Sequence, residues 1–422
     1  MKTNIRVAAA TILFLRFFAA PLSAQSAPFD GNTFRGRIAY SADGNYNDED
    51  DWAASPVALA ILAAFGARER LVHFDYNSIL PQTHPEWEDT HRAGVLGAAK
   101  RYGYRQSIFH DDQHDLEGAL ESIKNAINES TSDNPLYFIV AGPMEVPYRG
   151  IERSDPDKRK FVYLISHSRW NDGFATDDSF TYNKRSVIPL GAHWIQIQDQ
   201  NRFLSTSPFG RPANDDEWEP WHWMRDSGDP NVQFLWERLR ASTRADCSDA
   251  GMAYFLMTGD ELSEIHKLRG LLEGKAVPAP TNPRTQVRLE AENFLDLDQY
   301  EIEFRNDRAV SHRINVQLAG GARGRIRTPF LEPYTAPAAW YDVEVRYFDE
   351  KDGQSRLTLY VNNDPQGESW TASSDNESWL TRTIPGVAIR AGDEIAVEIE
   401  GERGESGKLD YVQLNYKAAL PR

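Results

Sequence analysis

A single cysteine, Cys247, in 422 residues excludes an intramolecular disulfide framework and any zinc site built on paired thiolates. Positive charge is also scarce. Against 63 Asp and Glu stand 46 Lys and Arg, a formal charge of −17. So acidic a chain is not built to track nucleic-acid phosphates or to dock on an anionic membrane. Internal repeats are missing, and no apolar run reaches the ~20 residues that span a bilayer. What is present, 41% hydrophobic and 26% charged residues, describes a folded globular protein long enough for two domains.

Lys2 and Arg6 precede an apolar run from Val7 to Ala20, interrupted at Arg16 and followed by Pro21-Leu-Ser-Ala24-Gln25. This is the layout of a secretory signal cleaved after Ala24, and it predicts a secreted or periplasmic protein with no membrane attachment once residues 1–24 are removed. An exported chain without cystine must be held together by other means.

The stretch 275–286 carries three prolines without apolar periodicity and reads as a linker. Upstream, over 25–274, short strand candidates (Arg37–Tyr40, Leu71–Phe74, Leu136–Val140, Phe161–Ile165) alternate with helical patterns at Trp52–Phe65, Trp87–Tyr102 and Leu116–Glu129. That alternation predicts an α/β domain whose parallel sheet is flanked by helices, with ligands beyond the carboxyl ends of the strands. Downstream, over 287–417, alternating strands punctuated by Gly, Asn and Asp predict an antiparallel β-sandwich.

Asp43-Gly-Asn-Tyr-Asn-Asp-Glu-Asp-Asp51 follows the first strand and runs into the first helix, placing five carboxylates in nine residues. A hard divalent cation such as calcium relieves the repulsion through carboxylate, amide and carbonyl oxygens. A solvated acidic loop favoured by the helix N-terminus explains the same pattern.

The segment from Ile38 to Leu62 resembles the opening of the nucleoside hydrolase fold, in which an aspartate-rich loop leads to an Asp-Asp pair; Asp50-Asp51 matches that pair. Asn77 stands where the family places an asparagine after the second strand. Leu136 to Met144 resembles the strand and Gly-Pro turn whose backbone carbonyl, here that of Ala141, joins the metal shell. Asp246-Cys-Ser-Asp249 resembles the late Asp that closes the calcium site. The resemblance runs over residues 36–272 and implies calcium held by Asp43, Asp50, Asp51, Ala141 and Asp249, with Asn45 or Asp48 as alternatives for the first ligand. Ser248 stands where many members carry a histidine, which weakens the case for a nucleoside substrate.

Glycosidic hydrolysis needs a nucleophilic water and a proton for the leaving group. Asp50 is the candidate base, and His167, Glu145 and His193 are candidate acids. Asn45, Asn77, Trp170 and Asn171 are candidate substrate contacts. Trp218, Trp221 and Trp223, flanked by Asp, Glu and Pro, are read as a sugar-binding surface, whereas Trp236 reads as core.

Arg288-Leu-Glu-Ala-Glu-Asn-Phe294, the Tyr341–Gly353 stretch and Lys408-Leu-Asp-Tyr-Val-Gln-Leu414 resemble carbohydrate-binding modules of families 6 and 35, a jelly-roll sandwich. The resemblance implies a structural calcium at Glu290, Glu292 and Asp410, and an aromatic clamp drawn from Trp340, Trp370, Trp379 and Tyr334. Together these features predict a secreted glycoside hydrolase acting on a polysaccharide, with algal galactans such as agarose offered by analogy. A glycan-binding protein with an inert hydrolase fold, a periplasmic nucleoside hydrolase and a uronate lyase are the alternatives. The sequence leaves oligomeric state open.

Overall fold

The computed structural model describes residues 29–421 apart from 31–32, 81–83, 169, 175–181, 209–210, 276–283, 305–308, 312–313, 331–337, 352, 375 and 403–405. The export signal, most of the proline-rich stretch and Tyr334 lie outside the described residues. Among the described residues no helix is long and apolar enough to cross a membrane.

Six parallel strands form the first sheet: β1 (Arg37–Ala42), β2 (Leu71–Tyr76), β3 (Phe109–Asp111), β4 (Leu136–Ala141), β5 (Val162–Ser166) and β6 (His193–Gln196). Their order is β3-β2-β1-β4-β5-β6. β1, β4 and β5 are buried throughout, which explains their nearly unbroken apolar sequences: helices cover both faces of a parallel sheet. The order reverses between β1 and β4, where Ala42 pairs with Ala141. Chains leaving two neighbouring strands in opposite directions open a crevice at their carboxyl ends, and the acidic loop starts there.

Helix α1 (Asp51–Ala64) follows that loop and is buried from Asp51 to Leu62, so it runs through the core instead of capping it. It packs against α2 (Pro85–Tyr102), α5 (Pro230–Ala241) and α6 (Ala250–Thr258). Two further helices, α3 (Asp112–Asn128) and α4 (Glu145–Glu152), pack against each other beside the sheet. Cys247 is buried in this core.

The second unit is an antiparallel sandwich. One sheet orders β9 (Tyr300–Phe304), β10 (Ile314–Leu318), β17 (Leu409–Ala419), β12 (Ala338–Asp349) and β15 (Ser378–Arg390), with β7 (Gln286–Glu290) also paired to β17. The other orders β8 (Asp296–Asp298), β11 (Arg323–Pro329), β16 (Glu394–Gly401) and β13 (Ser355–Val361), with β14 (Trp370–Ala372) on β13. Strict alternation along β12 sends Tyr341, Val343, Val345 and Tyr347 into the sandwich core.

The two units are joined by buried charge. Lys184, 4% exposed, reaches Glu292 of the sandwich at 3.3 Å and Gln196 of β6 at 3.0 Å. Arg284 pairs with Glu261, and Arg185 donates to the Ile302 carbonyl. Glu290 is the last residue of β7 and Glu292 lies in the 3-10 turn Ala291–Asn293 that follows it. Burial pushes the Glu292 carboxyl upward, and the Lys184 ammonium opposes it. Replacing Lys184 by Met strands that carboxylate. The expected loss is about 3–5 kcal/mol of unfolding free energy, read from chemical denaturation of the full chain; an unchanged midpoint would contradict the clamp.

Candidate functional site

The turn out of β1 brings the acidic loop back over the sheet. Gly44, at φ +94°, makes that turn: a Cβ there would meet His91 Nδ1 at 2.7 Å and the Asp51 Cβ at 3.0 Å. Trp52 Nε1 donates to the Gly44 carbonyl at 2.7 Å, tying the loop to the helix it precedes. The result places Asp43, Asp48 and Asp51 together, with one oxygen from each within 4.8 Å of the others. Asp43 and Asp51 are fully buried, and neither oxygen of either carboxylate has a hydrogen-bond partner.

This is a costly arrangement without a counterion. Burial pushes Asp43 up to about 7, with the charges of Asp249 and Asp50 adding and the Asp51 contact opposing. Asp48, Asp50 and Asp51 are driven well above the carboxylate range, by burial first and then by one another and by Asp249. Asp249 comes from far along the chain, at the N-cap of α6. Its charge acts on all four loop aspartates, so the opening loop and this late residue share one electrostatic site. The N-termini of α1 and α6 both lie here, and their exposed amides supply part of the missing positive charge.

Orphaned, buried carboxylate oxygens at this spacing fit a hard divalent cation, and calcium takes such oxygens readily. Asp43, Asp48 and Asp51 are the residues that would hold it. Asp50, expected as both ligand and base, stands beside the triad as the N-cap of α1, half-buried and in contact with Asp48. Ala141 ends β4 opposite Ala42.

His167, one residue beyond β5, connects this cluster to open space. Its Nε2 meets Asp249 Oδ1 at 2.5 Å. Its Nδ1 receives the Gln200 amide at 3.3 Å and lies 3.8 Å from Asp199. Burial would lower the imidazole, but the Asp199 and Asp249 carboxylates overcome it and push His167 up to about 10. Either protonation state leaves a proton on Nε2 directed at Asp249. Asp199 belongs to no motif in the sequence; its only local signal is a carboxylate three residues past the end of β6. Beyond His167 opens a cleft of about 1010 Å³ that Trp170, 40% exposed, also lines.

Other expected residues lie elsewhere. Asn45 is buried and spends its side chain on Ile79, donating to the carbonyl at 2.9 Å and accepting from the amide at 3.1 Å. Asn77, at φ +66°, donates to Asp111 and accepts from His91, so both asparagines brace the loops instead of facing substrate. Asn171 is buried. Glu145 is buried and paired with Arg149 at 2.5 Å. His193 begins β6, at the opposite end of the sheet from the cluster, and burial lowers it to about 4.

The tryptophan surface is corrected as well. Trp218, Trp221 and Trp223 are between 0% and 8% exposed and belong to the core. Trp221 Nε1 donates to Thr206 Oγ1 at 2.8 Å and Trp218 Nε1 to the Ala213 carbonyl at 3.1 Å, and Arg240 lies 4.3 Å over the Trp218 ring. In the sandwich, Trp370 is core and Trp340 is 40% exposed. Asp410 pairs with Arg346 and accepts the Ser311 amide, and Glu290 accepts the Ser311 hydroxyl. Lys184 and Arg346 thus provide positive charge where the resemblance implied calcium.

No protein-family model matches the chain. It is 28% identical over 263 residues to the uncharacterized protein P22 of Formosa agariphila, covering 57% of this chain and 92% of that protein. An 88-residue stretch is 34% identical to a probable alpha-glucuronidase A of Aspergillus terreus, 18% of this chain and 10% of that enzyme's length. A family 35 carbohydrate-binding module of Clostridium thermocellum is matched at 17% identity and TM-score 0.25, over 31% of this chain and 98% of the module.

Protons and a cation compete for the same oxygens at this cluster. Carboxyls whose pKa is higher in the fold than in the unfolded chain favour folding at low pH, and that contribution is lost as pH rises from the unfolded value of ~4 through about 7 for Asp43. Added calcium is therefore expected to raise the melting temperature of chelator-treated protein more at pH 8 than at pH 5. Equal shifts at the two values, or none, would contradict the site.

Proposed function

We propose that the chain is a carbohydrate-active hydrolase. The α/β domain cleaves a glycosidic bond at the aspartate cluster, and the sandwich contributes glycan binding. The observation carrying this reading is the buried carboxylate triad with orphaned oxygens, set at the sheet's switch point and linked through Asp249 to a histidine that opens onto a polar cleft. The alpha-glucuronidase match, short as it is, and the resemblance of residues 285–417 to family 6 and 35 modules support a glycan as ligand.

Asp43, Asp48 and Asp51 would hold calcium, which when bound supplies positive charge that orients water and makes it more acidic. Asp50, half-buried at the start of α1, accepts a proton from the nucleophilic water as that water attacks the anomeric carbon. His167, held at Nε2 by Asp249, gives the departing oxygen its Nδ1 proton when the ring carries both protons. Charge develops at the sugar ring as the bond breaks, and the surrounding carboxylates stabilise that oxocarbenium character. Export and an algal galactan target belong to the same proposal, motivated by the leader-like first 24 residues and by analogy of the module.

The test is incubation with a panel of polysaccharides and nucleosides, following new reducing ends, free base and ultraviolet-absorbing unsaturated products separately. Hydrolysis gives reducing ends alone. Asp50→Asn is expected to abolish turnover, and His167→Ala to lower kcat by about 10²–10⁴-fold, with polymer binding kept in both. Release of free base would transfer the reading to nucleoside cleavage, and binding without any product would refute an enzyme.

A further inference from the structure

The cleft beyond His167 has two walls from two domains. Ser168, Trp170, Gln198 and Asn201 line it on the α/β side; Gln286, Arg288, Ser311 and Tyr411 line it on the sandwich side. A module that merely tethers an enzyme to its polymer hangs on a free linker, and its binding face is separate from the site of cleavage. Here the Lys184–Glu292 and Arg284–Glu261 contacts fix the sandwich against β6, so its edge is a permanent boundary of the space leading to His167.

The lining chemistry identifies a ligand class. At about 1010 Å³ the cleft stands at the upper limit of small-molecule pockets, about 300–1,000 Å³, and is larger than one sugar ring requires. Seven of its lining side chains carry amides or hydroxyls, the groups that bond sugar hydroxyls, and as many are charged. Charges of both signs line it in near balance: Asp199, Glu261, Glu290 and Asp410 against Arg202, Arg288 and Arg346. Several are internally paired, Glu261 with Arg284 and Asp410 with Arg346. No field of one sign is left to select a polyanion.

Each wall also carries a flat platform. On one side is the indole of Trp170, 40% exposed and lining the cleft. On the other, the Arg288 guanidinium lies 4.0 Å from the Tyr411 ring centre and is held in plane by two bonds, Nε and Nη2, to Gln413 Oε1. Planar groups fixed this way stack on sugar rings at little entropic cost.

We propose that this interdomain cleft is a composite binding site for an uncharged oligosaccharide of several sugar residues, with Trp170 and the Arg288–Tyr411 stack reading different rings of one chain. The proposal rests on the hydrolase reading only for which bond is cut; binding tests it separately.

The experiment is calorimetric titration of the full chain carrying Asp50→Asn with cello-, manno- and agaro-oligosaccharides of two to six residues. At least one neutral series is expected to gain affinity with length. Trp170→Ala and Arg288→Ala should each weaken the longest member at least tenfold, while Arg288→Ala should change the disaccharide less. Leu262→Ala, at an exposed side chain outside the cleft, should leave binding unchanged, Trp340→Ala reports separately on the sandwich's own exposed tryptophan, and melting curves of each variant report whether the fold is kept. Arg288→Lys, which keeps the charge but loses the planar stack, should also weaken binding. Failure of every neutral series to bind, tighter binding of a matched uronate series, or loss through Trp340→Ala alone would overturn the proposal. If cleft-dependent binding stands but wild-type protein turns over no glycan, the hydrolase reading fails and the cleft assignment survives.

Discussion

The structure depends on one unfavourable interaction, the burial of like charges at the carboxyl end of a parallel sheet. Asp43 and Asp51 are sealed from water, press against each other, and sit near Asp48, Asp50 and Asp249. An ionised carboxylate removed from water without compensation is among the most expensive groups a fold can contain. A chain that places several of them at one point, aims two helix N-termini at it and makes the turn with a glycine at φ +94° fits the proposal of an external positive charge at that point.

The rest of the architecture serves that point. Strand order β3-β2-β1-β4-β5-β6 puts the crevice between β1 and β4, and the buried α1 fixes Asp51 at its first turn. Asn45, Asn77 and His91 form a hydrogen-bonded frame beneath the loop; His91 is lowered to about 3 by burial and stays neutral there. His167 carries the influence of the cluster outward through Asp249 to a cleft whose far wall is the second domain. The buried Lys184 makes that wall part of the site instead of an appendage.

Much of this was legible in the sequence where the signal was local. Strands β1, β2, β4 and β5 announce themselves as apolar runs because both faces are covered, and β12 does so by alternation. The density of aspartates in 43–51 exposed the cluster. Strand β3 was not legible: Phe109–Asp111 is three residues long and two of them are polar. The tryptophans at 218, 221 and 223 misled because their acidic neighbours in sequence point outward on short helical turns while the indoles point in. The asparagines misled for a related reason, since a side chain with both donor and acceptor is equally suited to a sugar or to a backbone, and only the fold reveals that Ile79 lies opposite Asn45. The Lys184–Glu292 pair spans 108 residues, a juxtaposition that no local pattern encodes.

The central claim is that the triad holds a cation. Crystals grown in calcium, with anomalous scattering recorded near the sulfur and calcium edges, test it most directly. The account predicts a single strong peak among Asp43, Asp48 and Asp51 at about 2.3–2.6 Å from their oxygens. A cation-free cluster in which the same carboxyls share protons at neutral pH, with calcium present at millimolar concentration, would contradict it.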